Sequence, residues 1–345
     1  MKNVLFIANT EGHLLTISSL VFERFNASAG YQPYILQVGK TGTARFKNET
    51  NKNLLSHKYF EIDPASLTVK EEIKEILNTN FVQVFIFLEQ LSLNVYLANY
   101  FKQEGSTICL APDGNKPYFT VDRMALRSRL MQTKATYKYL FARGLKYFRP
   151  YFLSWNYARL NPVDELWMTY PEKFNNVRKK KLVGFQLLPD KEVIRKVTDF
   201  FQLNVSDTLK ETSNIIFYAN NILYRKEAYA VEIKAMRIIR EKFPATPFYV
   251  KYHPSTPDYQ VQQFKALGLV CFANSKPAEL YIASLSNSIV AGCWSASLMI
   301  NNPTCKFYWL HHYLIKEGKM ISDLVNLVNP SEHIIDIDNP ADITF

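Results

Sequence analysis

Short apolar runs of about five residues alternate with longer stretches of helical periodicity along nearly the whole chain, and this alternation leaves few folds open. In the first half the runs fall at 4–8, 33–38, 58–62, 82–88 and 106–110, with helical patterns at 13–25, 69–77 and 91–101. Strands this short, separated by helices, suit a parallel sheet covered on both faces. Residues 166–169, stopped by Pro171, read as the last strand of this half. The series then restarts, with strands expected at 214–218, 247–252, 270–272 and 288–291. Helices are expected at 226–242, 260–267 and 278–284, and another beginning at Ser297. The fold class is therefore α/β, two Rossmann-like doubly wound domains in tandem. The expected division is a first domain over 1–175, a linker over 176–212 and a second domain over 213–345.

A length of 345 residues agrees, since it exceeds one ordinary core and fits two. Hydrophobic residues at 48% and charged residues at 21% exclude extended disorder. The net charge of +10 calls for an anionic partner. Cys109, Cys271, Cys293 and Cys305 lie far apart without a C-x-x-C pair, which reads as free thiols in a reducing compartment. The opening residues 1–7 look like a first strand rather than a signal peptide, and no apolar stretch reaches the roughly 20 residues that span a bilayer. A cytoplasmic protein without membrane-spanning segments is expected.

Ligands of doubly wound sheets bind beyond the carboxyl ends of the strands, so the residues just past each apolar run carry the information. After the apolar run Phe248-Tyr249-Val250 stand Lys251-Tyr252-His253-Pro254, a fixed positive charge and an imidazole on a stiffened turn. Those groups suit the capture of a phosphate whose oxygen gains charge as a bond breaks. Past 106–110 comes Pro112-Asp113-Gly114, a carboxylate on a turn that could take a proton from a sugar hydroxyl; the pair also fits a plain turn. Glu279 lies in the first turn of an expected helix, where a carboxylate equally suits the helix dipole. Past 288–291, Gly292-Cys293-Trp294-Ser295-Ala296-Ser297 offers small hydroxyl residues at a helix start, where backbone N–H groups can face an anion. Asn9 and His13 follow the first strand, His13 fitting a helix cap or packing position better than a reactive one. Asn220, after the first strand of the second domain, could reach a donor phosphate or carboxylate.

As a set, Asp113-Gly114, Lys251 with His253-Pro254, Glu279, and Ser295 with Ser297 resemble the motifs of the bacterial sialyltransferases that use CMP-sialic acid. The likeness is to the lipooligosaccharide and polysialic acid synthesising families, and it spans about residues 80–300. Pro112 stands where those families often have a second acid, and Ala296 separates serines that are often adjacent, which leaves open which serine meets the phosphate. The resemblance implies a GT-B fold, its two domains facing across a cleft with the donor on the second. It implies Asp113 as general base for the acceptor hydroxyl and His253 as the group assisting CMP departure, with Lys251 adding charge. Glu279 would hold the ribose or base, and Ser295 the phosphate. An inverting transfer from CMP-sialic acid to a cell-surface glycan or glycolipid follows, with no cofactor and no metal, because CMP leaves with one phosphate. The chain's one Asp-x-Asp string, Asp336-Ile337-Asp338, reads as a solvated strand end.

Between 123 and 162 there is no acidic residue, and Arg127, Arg129, Lys134, Lys138, Arg143, Lys146 and Arg149 alternate with aromatic residues. Such an insertion suits an anionic membrane surface or an anionic glycan, and also an ordinary helix packed on the first domain. Nucleic acid is not expected as a partner, since no binding motif for it appears. Other readings are transfer from CMP-Kdo or another CMP-nonulosonate, a CDP-glycerol-type phosphotransferase, and a non-catalytic glycan- or RNA-binding protein on a retained nucleotide-binding fold.

Overall fold

The computed structural model describes residues 1–39, 55, 57–112, 114, 116–118, 126–146, 157–203, 213–219, 226–253, 256–272, 277–293, 295–318 and 329–345. The chain divides into two compact units, Met1–Phe201 and Gln202–Phe345.

In the first unit the described strands are β1 (Lys2–Ala8), β2 (Tyr31–Val38), β3 (Lys58–Ile62), β4 (Gln83–Ile86), β5 (Thr107–Leu110), β6 (Glu165–Met168) and β7 (Lys181–Gly184). They form one sheet in the order β3-β2-β1-β4-β5-β6-β7, every pair parallel. The described helices of eight residues or more are α1 (Glu11–Glu23), α2 (Ser92–Gln103), α3 (Leu126–Ala142) and α4 (Lys191–Phe200). Val4 through Ala8 are fully buried, so both faces of β1 are covered, which is why that run lacks polar alternation. One face joins a core that includes Leu5, Ile7, Leu36, Ile86, Leu97 and Leu110. The other holds an aromatic group in which Phe6 stacks on Phe85 at 4.9 Å and Trp167 meets Phe85 edge-on at 5.0 Å.

In the second unit β8 (Ile215–Tyr218), β9 (Phe248–Lys251), β10 (Val270–Phe272), β11 (Ile289–Gly292), β12 (Lys306–Trp309) and β13 (Ile334–Asp336) order as β10-β9-β8-β11-β12-β13, again all parallel. Its described helices are α5 (Lys226–Lys242), α6 (Asp258–Ala266), α7 (Ala278–Ala283) and α8 (His311–Gly318). Both sheets carry the strand order of a doubly wound Rossmann fold, with the order reversing between β1 and β4 in one unit and between β8 and β11 in the other.

The expected linker needs correction. Within 176–212, Lys181–Gly184 is β7 and Lys191–Phe200 is α4, which packs along α1 inside the first unit. Residues 166–169 are therefore not the last strand of that half. β7 is a four-residue edge strand beside three consecutive lysines, so its apolar signal is slight. α4 carries a readable pattern: Asp190 caps Val193 N at 2.9 Å, and Val193, Val197 and Phe200 are buried. The helix expected from Ser297 is one short 3-10 turn, Ala296–Met299.

Candidate active site

Register places the carboxyl ends of the second sheet in a single row. Phe272 pairs with Lys251, Lys251 with Tyr218, Tyr218 with Gly292, Gly292 with Trp309, and Trp309 with Asp336. Residues that follow these positions therefore emerge along one edge, although they are separated by tens of residues in sequence. The switch point lies between Tyr218 and Gly292.

Lys251 ends β9 and is only 9% exposed, while Tyr252 packs towards Phe264 with ring centroids 6.4 Å apart. His253 follows at the surface, and its carbonyl accepts from Thr256 N at 2.9 Å. Enough of the ring is covered for desolvation to hold its pKa below the ordinary imidazole value, and the Lys251 ammonium pushes in the same direction. At neutral pH His253 is uncharged and can offer an N–H to a phosphate oxygen.

Past β11 the hydroxyl residues are tied to Glu279. Ser295 caps the 3-10 turn, its Oγ accepting from Ser297 N at 3.3 Å. Ser297 is buried and donates its hydroxyl to Glu279 Oε1 at 3.0 Å. Glu279 itself sits half-buried in the first turn of α7, next to Ala278, whose carbonyl accepts from the Tyr218 hydroxyl at 3.2 Å. Burial, and then the Glu279 carboxylate, raises the Tyr218 phenol well above its usual pKa. Gly292 is the close-approach position: a Cβ there would lie 3.1 Å from the Tyr218 carbonyl oxygen. Tyr218 went unnoticed in the sequence, although a tyrosine ending an apolar run at a strand terminus was the available signal.

In the first unit, Gly114 has φ of 65°, a left-handed conformation that glycine adopts without strain, so a glycine at this position has a concrete backbone reason. Asp113, Pro254 and Asn220 lie outside the described residues. At the switch point of this sheet, Asn9 N donates to His13 Nδ1 at 3.1 Å, and Asn94 Nδ2 bridges Asn9 Oδ1 and the Leu88 carbonyl at 2.9 Å each. His13 is buried and stacks on Phe87 with centroids 4.5 Å apart, so it serves as a cap and packing group. The support at the end of β5 was not foreseen. Buried Glu89 accepts from Ala158 N and Leu160 N at 2.6 Å each, and Tyr157 donates its hydroxyl to the carbonyl of Leu110, the end of β5, at 3.2 Å.

Of the basic aromatic insertion, α3 is described. Thr136 and Leu140 are buried, Tyr139 donates to the Pro64 carbonyl at 2.8 Å, and Arg143 donates to the Pro64 and Ala65 carbonyls at 3.1 and 3.0 Å. The opposite stripe presents Met131 (64% exposed), Lys134, Lys138 and Phe141 (87% exposed) to solvent. Among the described residues no helix is long and apolar enough to cross a membrane.

No family model matches the chain, and no curated protein matches it in sequence. Solved structures do resemble it. The GT-B domain of a sialyltransferase from Photobacterium damselae matches with a TM-score of 0.58 at 13% identity, covering 97% of this chain and 98% of that one. The α/β-galactoside α-2,3-sialyltransferase of the luminous marine bacterium Photobacterium phosphoreum matches with a TM-score of 0.55 at 14% identity, over 97% and 98%. MnaA of S. aureus, solved with UDP, matches with a TM-score of 0.52 at 9% identity, over 90% and 79%. At these identities the likeness establishes architecture: the chain has the two-unit GT-B fold.

Proposed function

We propose that the protein is an inverting glycosyltransferase that moves sialic acid, or a closely related nonulosonic acid, from its CMP ester to a hydroxyl of a cell-surface glycan. The observation that carries this reading is the grouping of Lys251, His253 and the Glu279–Ser297–Ser295 chain past β9 and β11, the two strands that flank β8 at the switch point. A buried ammonium, an imidazole N–H and a capping hydroxyl suit a nucleoside monophosphate. Since Ser297 is engaged with Glu279, Ser295 is the serine assigned to the phosphate, and Glu279 is left an oxygen for a ribose hydroxyl. Asp113 is assigned as general base on the turn set by Gly114, Pro254 stiffens the loop behind His253, and Asn220 contacts the donor. CMP departs with one phosphate, so the step calls for no metal. The exposed Met131–Phe141 stripe would hold the protein against the anionic inner face of a bacterial membrane, where a glycolipid acceptor is presented.

A thermal-shift series with CMP, CDP, UDP and GDP tests the donor class, and CMP is expected to stabilise the protein most. The likeness to a UDP-bound protein makes UDP the competing outcome. In a transfer assay with CMP-sialic acid, Asp113→Ala is expected to lower kcat by about 10²–10⁴-fold while leaving CMP affinity unchanged. His253→Ala is expected to cost about 10²–10³-fold in kcat. Preference for UDP, or normal turnover in both variants, overturns the proposal.

A further inference from the structure

The same edge of the second sheet carries a cluster that the proposed transfer leaves unused. Trp309 and Asp336 are register partners at the ends of β12 and β13. One residue past Trp309 the chain enters α8, whose first two residues are His311 and His312. Their rings lie 3.9 Å apart, so at this helix start the two imidazoles stand together. One ligand atom from each of His311, His312 and Asp336 falls within 4.8 Å of the other two. His311 Nδ1 and Asp336 Oδ1 are 3.7 Å apart, too far for a hydrogen bond. Two ligands held about 2.0–2.1 Å from a tetrahedral zinc ion stand roughly 3.4 Å from each other, close to the His311–Asp336 separation, so closing the wider spacings by up to about 1.4 Å would complete a site.

A second observation points at a ligand. His311 is 3% exposed, and its buried Nδ1 has no hydrogen-bond partner although a carboxylate lies beside it. The carboxylate is oriented from outside: Asn329 Nδ2 donates to Asp336 Oδ2 at 3.2 Å, which leaves Oδ1 towards the imidazole, the arrangement that supports a ligating carboxylate. Trp309 backs the His311 ring at 4.8 Å. The positive end of α8 opposes a cation here, and the Asp336 carboxylate, 3.7 Å from His311 Nδ1, offsets it.

We propose that His311, His312 and Asp336 bind a divalent transition cation of zinc type, joining the start of α8 to the end of β13 and leaving a coordination position open. Two imidazoles and one carboxylate select zinc, cobalt or nickel over magnesium and calcium, whose sites are built of oxygen. The site stands apart from the transfer step and is read without it.

The test uses the full chain, freed of any affinity tag and stripped of metal. Isothermal titration is expected to give one zinc per chain and affinity for magnesium at least about 100-fold weaker. Cobalt in place of zinc is expected to give the visible absorption of a low-coordinate ion. His312→Gln and Asp336→Asn alter exposed residues, so folding, checked by circular dichroism, should survive; each is expected to lower zinc affinity by about tenfold or more and to abolish the cobalt bands. Asn329→Ala should weaken zinc about tenfold through the carboxylate's orientation. Absence of zinc uptake, or uptake unchanged in the His312→Gln, Asp336→Asn double variant, overturns the proposal.

Discussion

Glu89→Gln is the substitution that most directly tests how the first unit holds the segment 157–160 against the end of β5. Glu89 is 4% exposed and accepts two backbone N–H groups, from Ala158 and Leu160, at 2.6 Å each. Ala158 has φ of 63°, a conformation that costs a residue with a Cβ about 1–2 kcal/mol, and the carboxylate helps to hold it there. Hydrogen bonds to a charged acceptor contribute about 1.5–3 kcal/mol each, whereas a neutral one contributes about 1 kcal/mol. Glutamine keeps one acceptor of the neutral kind and turns an amide donor against the other N–H, so the net loss is about 3 kcal/mol. For a unit of this size that corresponds to a fall in Tm of about 6–12 °C, read by calorimetry and by circular dichroism. The same loop is fixed to the end of β5 through Tyr157 and Leu110, three residues before Asp113. Transfer by the folded variant is therefore expected to lose kcat, while KM for the donor, assigned to the other unit, stays unchanged. Tyr157→Phe, which removes only the hydroxyl, should cost about 1 kcal/mol and shift kcat in the same direction. A fall in Tm of less than about 2 °C in Glu89→Gln would refute the anchoring role.

Two further outcomes are open to measurement. The His253 ring, assigned by comparison with His253→Gln, is expected to titrate below 6.5 in NMR, and Lys251→Met should move the midpoint up in part, because burial, the larger cause, remains. The unfolded chain holds that ring near 6.5, so between the folded value and 6.5 the unfolded state binds more protons, and stability rises with pH through this window; an unmoved midpoint in Lys251→Met would remove the charge from the account. Anionic vesicles are expected to recruit the protein at low salt and release it near 0.5 M salt, where screening lengths shrink to a few ångströms. Lys134→Glu with Lys138→Glu and Phe141→Ser should abolish recruitment, and equal recruitment of that variant would rule out the exposed stripe of α3 as the contact.

Strand periodicity carried most of the fold because the central strands are buried on both faces. Val4–Ala8, Ile215–Tyr218 and Ile289–Gly292 could be read as strands from an unbroken apolar run. Edge elements were harder, since a strand with one neighbour needs little apolar surface: Lys181–Gly184 and Ile334–Asp336 supply only two apolar residues each. β12 is a different case, because Phe307-Tyr308-Trp309 is as apolar as any strand here and follows Pro303 closely. Residues of the candidate site could be picked out where chemistry and strand end coincide, as at Lys251, His253 and Ser295. Supporting groups could not. Glu89 and Tyr218 act through a backbone carbonyl or N–H of another segment, and no spacing rule marks which segment that will be.

Parallel sheets explain why these sites escape spacing rules altogether. Each strand of such a sheet delivers its carboxyl end to one edge, however long the crossover that precedes it. Chain distance between two such ends is arbitrary, while spatial distance is set by strand order at about 4.8 Å per strand. Lys251 and Gly292 are 41 residues apart in sequence but only two strands apart, with Tyr218 between them. Asp336 is 24 residues beyond His312, yet it is one strand from the run that leads into the two histidines. An Asp-x-Asp pair judged by its own surroundings is a solvated strand end; judged by its register partner Trp309, it stands beside two imidazoles. The quantity that carries chemical information in this fold is therefore a residue's offset from the end of its strand, combined with that strand's place in the sheet order. Both candidate sites of the second unit are read by that one rule.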